Sequence, residues 1–176
     1  MTSNAPASTA PTTAPAAGEH GLVLDERRAQ LVKNVQDLFS SKPRLDIFEQ
    51  DWKKDAVFED PICIAKGDKE YMAQWYGMPK AFPQSETLSW KVLKNEPGLI
   101  EYEQVQKYTV AGIHTVKEMK SLVHIELDPT DNKITRFEDR WNGKEMKSGW
   151  LGLKLRSFNG RFMPSLISVP KSESKL

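Results

Sequence analysis

The chain has few of the features that mark membrane-spanning, secreted or nucleic-acid-binding proteins. Its single cysteine, Cys63, cannot form an internal disulfide and is typical of a reducing compartment. No run of about 18 apolar residues occurs, so we expect no transmembrane helix. The 25 basic residues are balanced by 24 acidic ones, unlike the basic excess of nucleic-acid-binding proteins.

The common motifs that hold cofactors and metal ions are also missing. There is no glycine-rich phosphate loop and no dinucleotide fingerprint. His20, His114 and His124 do not have metal-ligand spacing. Cys63 has no adjacent histidine, and no serine lies in a nucleophile elbow. We therefore expect neither a metal nor a cofactor.

The two ends of the sequence differ from the rest. Residues 1–21 are almost all Ala, Pro, Thr and Ser, which predicts a disordered tail. The absence of arginine before Arg27 argues against a mitochondrial presequence. Ser174-Lys175-Leu176 matches the peroxisomal import signal, so we expect an import receptor as partner, with synthesis in the cytoplasm and a final place in the peroxisome matrix. Residues 170–176 then form a flexible targeting tail, and residues 22–169 a single domain.

The first part of this domain has helical periodicity. Asp25 is placed to cap a first helix, which Ser40-Ser41-Lys42-Pro43 ends. A short second helix has Leu45, Phe48 and Trp52 on one face. Residues 56–61 read as a short strand ended by Pro61, and a third helix starts at Gly67-Asp68 and continues to about Gly77.

The second part has the alternation of strands. Four strands are expected between residues 88 and 141, with a hairpin turn at residues 128–132. The sequence predicts an α+β fold, with about three N-terminal helices on the concave side of a curved antiparallel sheet. Residues 145–169 mix aromatic and basic side chains; we expect them to cover the outer face of the sheet, although a membrane surface is the alternative.

The order of these elements and the stretch Val57-Phe58-Glu59-Asp60-Pro61 resemble the nuclear transport factor 2-like superfamily, which includes the SnoaL-like cyclases and ketosteroid isomerase. The resemblance covers residues 24–142 and implies a cone with a pocket between sheet and helices. In ketosteroid isomerase the base is the aspartate of the matching Glu-Asp-Pro motif, opposite a tyrosine and a protonated aspartate. It thus implies that Asp60 is the base, with His124 near the place of the protonated aspartate.

One part of the isomerase pattern is missing, because Val35-Gln36-Asp37-Leu38 stands where its tyrosine is expected. Tyr102 or Tyr108 could supply a hydroxyl instead. We also expect Trp75, Tyr102, Asp139 and Trp141 in the pocket, Asp139 because it shares a strand face with Phe137.

Each of these residues also has a plainer interpretation. Asp60 could accept only backbone N–H groups at the strand end. His124 could lie on the outward face of its strand, and Trp75 and Trp141 could belong to the core. Arg136, Glu138 and Arg140 could form a solvated row or a dimer contact.

The sequence leaves three functions open, and the first is the main expectation. It is a peroxisomal protein that binds a small lipid-like or polyketide-like molecule in an apolar pocket. The second is a cofactor-free isomerase, dehydratase or cyclase that uses Asp60. The third is a non-catalytic homodimeric scaffold. Whether the protein is an enzyme is therefore not decided by the sequence.

Overall fold

The described residues of the chain form ten regular elements. The computed structural model describes residues 21–113, 115–143 and 149–170, so the predicted N-terminal tail, except for Gly21, and the C-terminal tripeptide lie outside it. The elements are α1 (Glu26–Phe39), α2 (Leu45–Asp51), β1 (Trp52–Asp60), β2 (Cys63–Lys66), α3 (Asp68–Ala81), β3 (Gln84–Glu96), β4 (Leu99–Thr109), β5 (Val116–Leu127), β6 (Ile134–Trp141) and α4 (Trp150–Leu166).

The helix starts expected from the sequence are confirmed. The side chain of Asp25 accepts a hydrogen bond of 2.9 Å from the backbone N–H of Arg28 and so caps α1. Ser40 ends that helix. Gly67 precedes α3 with a positive φ of 83°, a conformation that favours glycine.

Trp52 does not extend α2 as predicted but begins β1. Its ring lies 4.8 Å from that of Tyr71 and 5.4 Å from that of Phe137, between centroids. The extended backbone thus brings this large side chain under the sheet, where burial of its apolar area outweighs one more turn of a short helix.

The six strands form one sheet in the order β2-β1-β6-β5-β4-β3. The predicted four-strand antiparallel meander is confirmed as β3 to β6. The prediction of a purely antiparallel sheet is wrong, because β1 pairs with β6 in parallel, for example Phe58 beside Phe137. A parallel pair needs a long crossover, which the chain from β2 to β5 supplies. The strand β2, at the edge, was not expected.

Alternation along the strands divides the sheet into a concave, buried face and a convex face. On β4 the concave side carries Tyr102, Gln104, Gln106 and Tyr108, all at most 7% exposed. On β6 it carries Phe137 and Asp139. The aromatic core of the protein lies between this face and the first three helices.

A fourth helix, α4, occupies a place that differs from the expected one. It packs against β2 and α3 at the edge of the sheet, not on the outer face. The contact is close, since a Cβ on Gly160 would lie 2.0 Å from the carbonyl oxygen of Ile64. The absence of a side chain on Gly160 lets the helix meet the strand backbone directly.

Among the described helices, none combines the length and hydropathy required to cross a membrane.

Candidate functional site

A cavity of about 370 Å³ lies between α3, the concave face of the sheet and α4. Its walls are largely aromatic, formed by Phe39, Phe58, Trp75, Phe82, Tyr108 and Trp141. Asn159 and Met163 of α4 form one side. Two carboxyl groups, those of Asp60 and Asp139, also line this cavity. It therefore combines apolar walls with groups that can exchange protons.

Asp60 lies at the end of β1, immediately before the turn to β2. Its Oδ1 accepts backbone N–H bonds from Ile62 at 2.8 Å and from Cys63 at 2.6 Å. Asp60 thus accepts backbone N–H groups at the strand end, as one interpretation of the sequence predicts, and these bonds fix the orientation of its carboxyl group. Both bonds use Oδ1, so neither of them occupies Oδ2.

The environment of Asp60 raises the pKa of its carboxyl group to about 6. Burial is the largest cause, since it disfavours the charged form, and the negative charge of Glu59 acts in the same direction. The two backbone N–H bonds and the positive charge of Arg156 oppose this rise. A carboxyl group tuned in this way can act as a base near neutral pH.

Asp139, on β6, is 5% exposed and faces the same cavity. Its Oδ2 accepts a hydrogen bond of 2.9 Å from the indole Nε1 of Trp141. Oδ1 is buried without a hydrogen-bond partner among the described residues. Burial raises the pKa of Asp139 to about 7, the Ser121 hydroxyl and Trp141 indole lower it, and the charge of Asp60 raises it further.

The two carboxyl groups interact electrostatically, since the negative charge of Asp60 raises the pKa of Asp139. Both pKa values are raised from their ordinary value towards neutrality. Two coupled carboxyl groups in one cavity can act as a base and an acid.

Further polar atoms are buried around the cavity. Trp75 Nε1 and Gln74 Nε2, on lining residues, have no hydrogen-bond partner within the described part of the chain. Most buried polar atoms in proteins do have one, so these two donors are unsatisfied groups beside the cavity. Lys117 adds a positive charge at an exposed point of the lining.

The structure places three of the four predicted pocket residues, Trp75, Asp139 and Trp141, around this cavity together with Asp60. Tyr102 is instead fully buried, with its ring 6.3 Å from that of Trp90. The neighbouring Tyr108 does line the cavity. Burial raises the pKa of both tyrosines, so both hydroxyls stay neutral.

His124 does not take the place that the resemblance implied. It lies on the convex face of β5, and its Nδ1 is 2.7 Å from Oε1 of the buried Glu101. The outward position follows from strand alternation, because its neighbours Val123 and Ile125 are the residues that face the core. His124 therefore cannot form the expected pair with Asp60.

Three other features of the sequence can be placed. Arg136, Glu138 and Arg140 form a row of ion pairs with Glu59 on the convex face. Burial raises the pKa of Cys63 far above its usual range, which keeps the thiol protonated. Within the described ranges no group of three or more His, Cys, Asp or Glu side chains is arranged to hold a metal ion.

Sequence reasoning missed the part that α4 plays in the site. Arg156, 3% exposed, donates through Nε to the backbone carbonyl of Asp60 at 2.9 Å. Its Nη2 donates to Glu59 Oε1 at 2.8 Å. The only signal in the sequence was a basic residue inside an apolar segment, which does not reveal a partner about a hundred positions away.

A larger surface groove, about 750 Å³, lies between α2, β1 and residues 164–170. Lys54 and Lys69 in its lining are exposed, and neither of its lining carboxyl groups, Glu49 and Asp68, is buried. The smaller cavity is the better candidate because buried ionisable groups are typical of sites that carry out chemistry.

Comparison with other proteins identifies the fold. The sequence matches no family model and no curated protein. A phenazine biosynthesis-related protein from Pseudomonas aeruginosa is similar in structure, with a TM-score of 0.52 and 17% identity over 85% of this chain and 94% of the other.

Two further solved structures are also similar in fold to this chain. A proposed polyketide cyclase from Xanthomonas campestris has a TM-score of 0.55 and 15% identity, over 66% of this chain and 91% of its own. An NTF2-like protein from Anabaena variabilis has a TM-score of 0.57 and 14% identity, over 70% and 92%. The chain therefore has the nuclear transport factor 2-like fold that its sequence resembles.

Proposed function

We propose that the protein is a cofactor-free acid/base enzyme, an isomerase, cyclase or dehydratase, that acts on a small and largely apolar compound. The observation that carries this proposal is that Asp60 and Asp139, two carboxyl groups with raised pKa values, line one cavity with aromatic walls. A protein that only binds an apolar ligand has no need of a buried carboxyl group such as Asp139, which costs folding free energy.

Asp60 is the base in this proposal and Asp139 the acid. Oδ2 of the ionised Asp60 takes a proton from a carbon next to a carbonyl group, and the C–H electron pair becomes the enolate. The protonated Asp139 donates a hydrogen bond or its proton to the enolate oxygen. Return of the abstracted proton from Asp60 to another carbon completes an isomerisation. In a cyclisation, the enolate carbon attacks a second carbonyl, and the alkoxide that forms takes the proton from Asp60.

The walls of the cavity support the choice of ligand class. Aromatic rings such as Trp75, Tyr108 and Trp141 suit a planar or polyketide-like molecule. Proteins of this fold include the proposed polyketide cyclase and the phenazine biosynthesis-related protein described above.

Simple binding of an apolar ligand, our first expectation from the sequence, is the second candidate. The apolar walls favour it. The two functions differ in one respect: replacing a carboxyl group by an amide abolishes proton transfer but leaves the apolar contacts in place.

The place of action is a separate proposal that depends on Ser174-Lys175-Leu176. A fluorescent protein fused before residue 1 should accumulate in peroxisomes, and removal of Leu176 should leave it in the cytoplasm. Equal peroxisomal signal in both would contradict the proposal.

Proton abstraction can be tested with a known probe, 2-tetralone, whose protons next to the carbonyl exchange with D₂O. We expect the wild-type protein to raise the exchange rate above that of buffer, as measured by proton NMR. The Asp60→Asn variant should lower the enzymatic rate at least about a hundredfold, the usual contribution of a general base.

The matched control is Asp55→Asn, because Asp55 lies on the same strand but is exposed. It should retain the wild-type rate. Equal rates for wild type and Asp60→Asn would contradict the enzyme proposal. Unchanged binding of 2-tetralone by both proteins, without exchange, would favour the binding protein instead.

A further inference from the structure

The side of α4 that faces away from the protein carries an apolar stripe, formed by Leu155, Phe158, Phe162 and Leu166. These side chains are 62%, 65%, 46% and 58% exposed. Their spacing of three, four and four residues places them on one face of the helix. The rings of Phe158 and Phe162 stack with centroids 5.7 Å apart. Water-exposed phenylalanines so close together are unfavourable unless something covers them.

The opposite face of α4 is already used, so the helix cannot turn to bury the stripe. Gly160 contacts the backbone of Ile64, and Met163 packs at the position of Gly77. Arg156 binds Glu59 and the carbonyl of Asp60. The apolar stripe is therefore held outward by the fold.

The charges on this helix indicate what covers the stripe. Residues 149–170 contain Lys154, Arg156 and Arg161 but no Asp or Glu. Arg156 is buried, whereas Lys154 and Arg161, seven residues apart, are exposed on one side of the helix. A helix with exposed aromatic residues, basic neighbours and no acidic residue is typical of segments that lie on anionic lipid.

A second copy of the chain fits this surface less well. Symmetric pairing through the apolar stripe would bring the exposed Arg161 side chains of two copies near one another, and residues 149–170 contain no carboxylate to offset their repulsion. Anionic phospholipid supplies both the apolar layer and the negative charge.

We infer that α4 is a membrane-contacting helix, which places Phe158 and Phe162 at the acyl boundary of an anionic phospholipid surface and Arg161 and Lys154 among its headgroups. Asn159 and Met163 lie beside the stripe and line the cavity, so the lipid would lie on the α4 side of the cavity. The inference does not depend on the proposed reaction.

Vesicle flotation with the full chain tests this inference. We expect the protein to float with vesicles of phosphatidylcholine mixed with phosphatidylserine, and much less with phosphatidylcholine alone. Added salt should weaken the binding because it screens the headgroup charge. The double variant Phe158→Ser, Phe162→Ser should lower the partition coefficient at least about tenfold for each ring removed. Arg161→Glu should weaken binding to the anionic vesicles only.

The control variant is Ile113→Ser with Val116→Ser, which removes two apolar side chains of 70% and 52% exposure outside α4, one in the turn after β4 and one at the start of β5. It should float as the wild type does. Circular dichroism and thermal melting establish that each variant is folded. The inference is overturned if wild type fails to float with anionic vesicles, or if the stripe variant floats equally well. It is also overturned if sedimentation shows a wild-type dimer that the stripe variant cannot form, because the stripe is then an interface between copies.

Discussion

Arg156 joins the C-terminal helix to the candidate base Asp60. Its Nε donates to the Asp60 carbonyl at 2.9 Å, and the same guanidinium binds Glu59, the preceding residue. These two contacts of Arg156, with Asp60 and with Glu59, hold α4 at the end of β1. The turn that orients the Asp60 carboxyl group begins at the same point. The position of α4 and the proton affinity of Asp60 are therefore linked through one side chain.

Arg156→Met should raise the pKa of Asp60 above about 6, because the guanidinium charge that lowers this pKa is removed. It should also cost about 1 to 3 kcal/mol of unfolding free energy, since buried acceptors lose their donor. Carbon NMR of the carboxyl groups against pH measures the first effect, and denaturant unfolding the second.

Arg156→Lys is the companion variant, because it keeps the charge but not the planar fork. It should restore much of the pKa of Asp60 and less of the stability. If Asp60 titrates identically in wild type and in Arg156→Met, the two groups are not coupled as the contacts indicate.

Asp139 should make the stability of the protein depend on pH. Its pKa is about 7 in the folded protein against an ordinary value of 3.8, so the folded state binds more protons than the unfolded state between these values. The free energy of unfolding therefore falls as pH rises through this window. The part of the unfolding free energy that depends on protonation of Asp139 is fully present below about pH 4 and is lost above about pH 7. Its size is on the order of 4 kcal/mol.

In Asp139→Asn, the curve of unfolding free energy against pH should be flatter between pH 4 and 7, since an amide does not ionise. Denaturant titrations at several pH values measure both curves. Parallel curves for the two proteins would show that Asp139 ionises as freely when folded as when unfolded.

His124 should have no part in the chemistry, despite the expectation from the resemblance. Its side chain lies on the convex face in contact with Glu101, across the sheet from the cavity. His124→Gln should keep the exchange rate of 2-tetralone within about twofold of wild type, under conditions where Asp60→Asn is inactive. A loss comparable to that of Asp60→Asn would mean that His124 reaches the cavity in a conformation other than this one.

The sequence predicts the part of the fold that depends on local periodicity. Asp25 as a cap, Gly67 before α3 and the shared face of Phe137 and Asp139 all follow from spacing, and each is found. The inward position of Asp139 was inferred from this alternation, and the structure places it at the cavity.

The remaining features depend on contacts between distant parts of the chain. The parallel pairing of β1 with β6 and the packing of Gly160 against Ile64 have no local pattern. His124 was placed by counting from the last strand, and strand alternation decides its face. The cavity is closed by α4, so its full outline could not be predicted without knowing where that helix packs.

Gly160 should be the residue of α4 that tolerates substitution least. A Cβ there would meet the carbonyl oxygen of Ile64 at 2.0 Å, and the obstacle is backbone, which cannot rotate away. Gly160→Ala should therefore lower the unfolding free energy by about 1 to 3 kcal/mol, the usual cost of overpacking, although alanine favours helix formation. Gly149→Ala is the matched control, because a Cβ at that position meets nothing within 4 Å. Thermal melting of both variants measures this difference. If Gly160→Ala is as stable as Gly149→Ala, α4 does not pack directly on β2. Another element would then have to form the side of the cavity that is assigned here to α4.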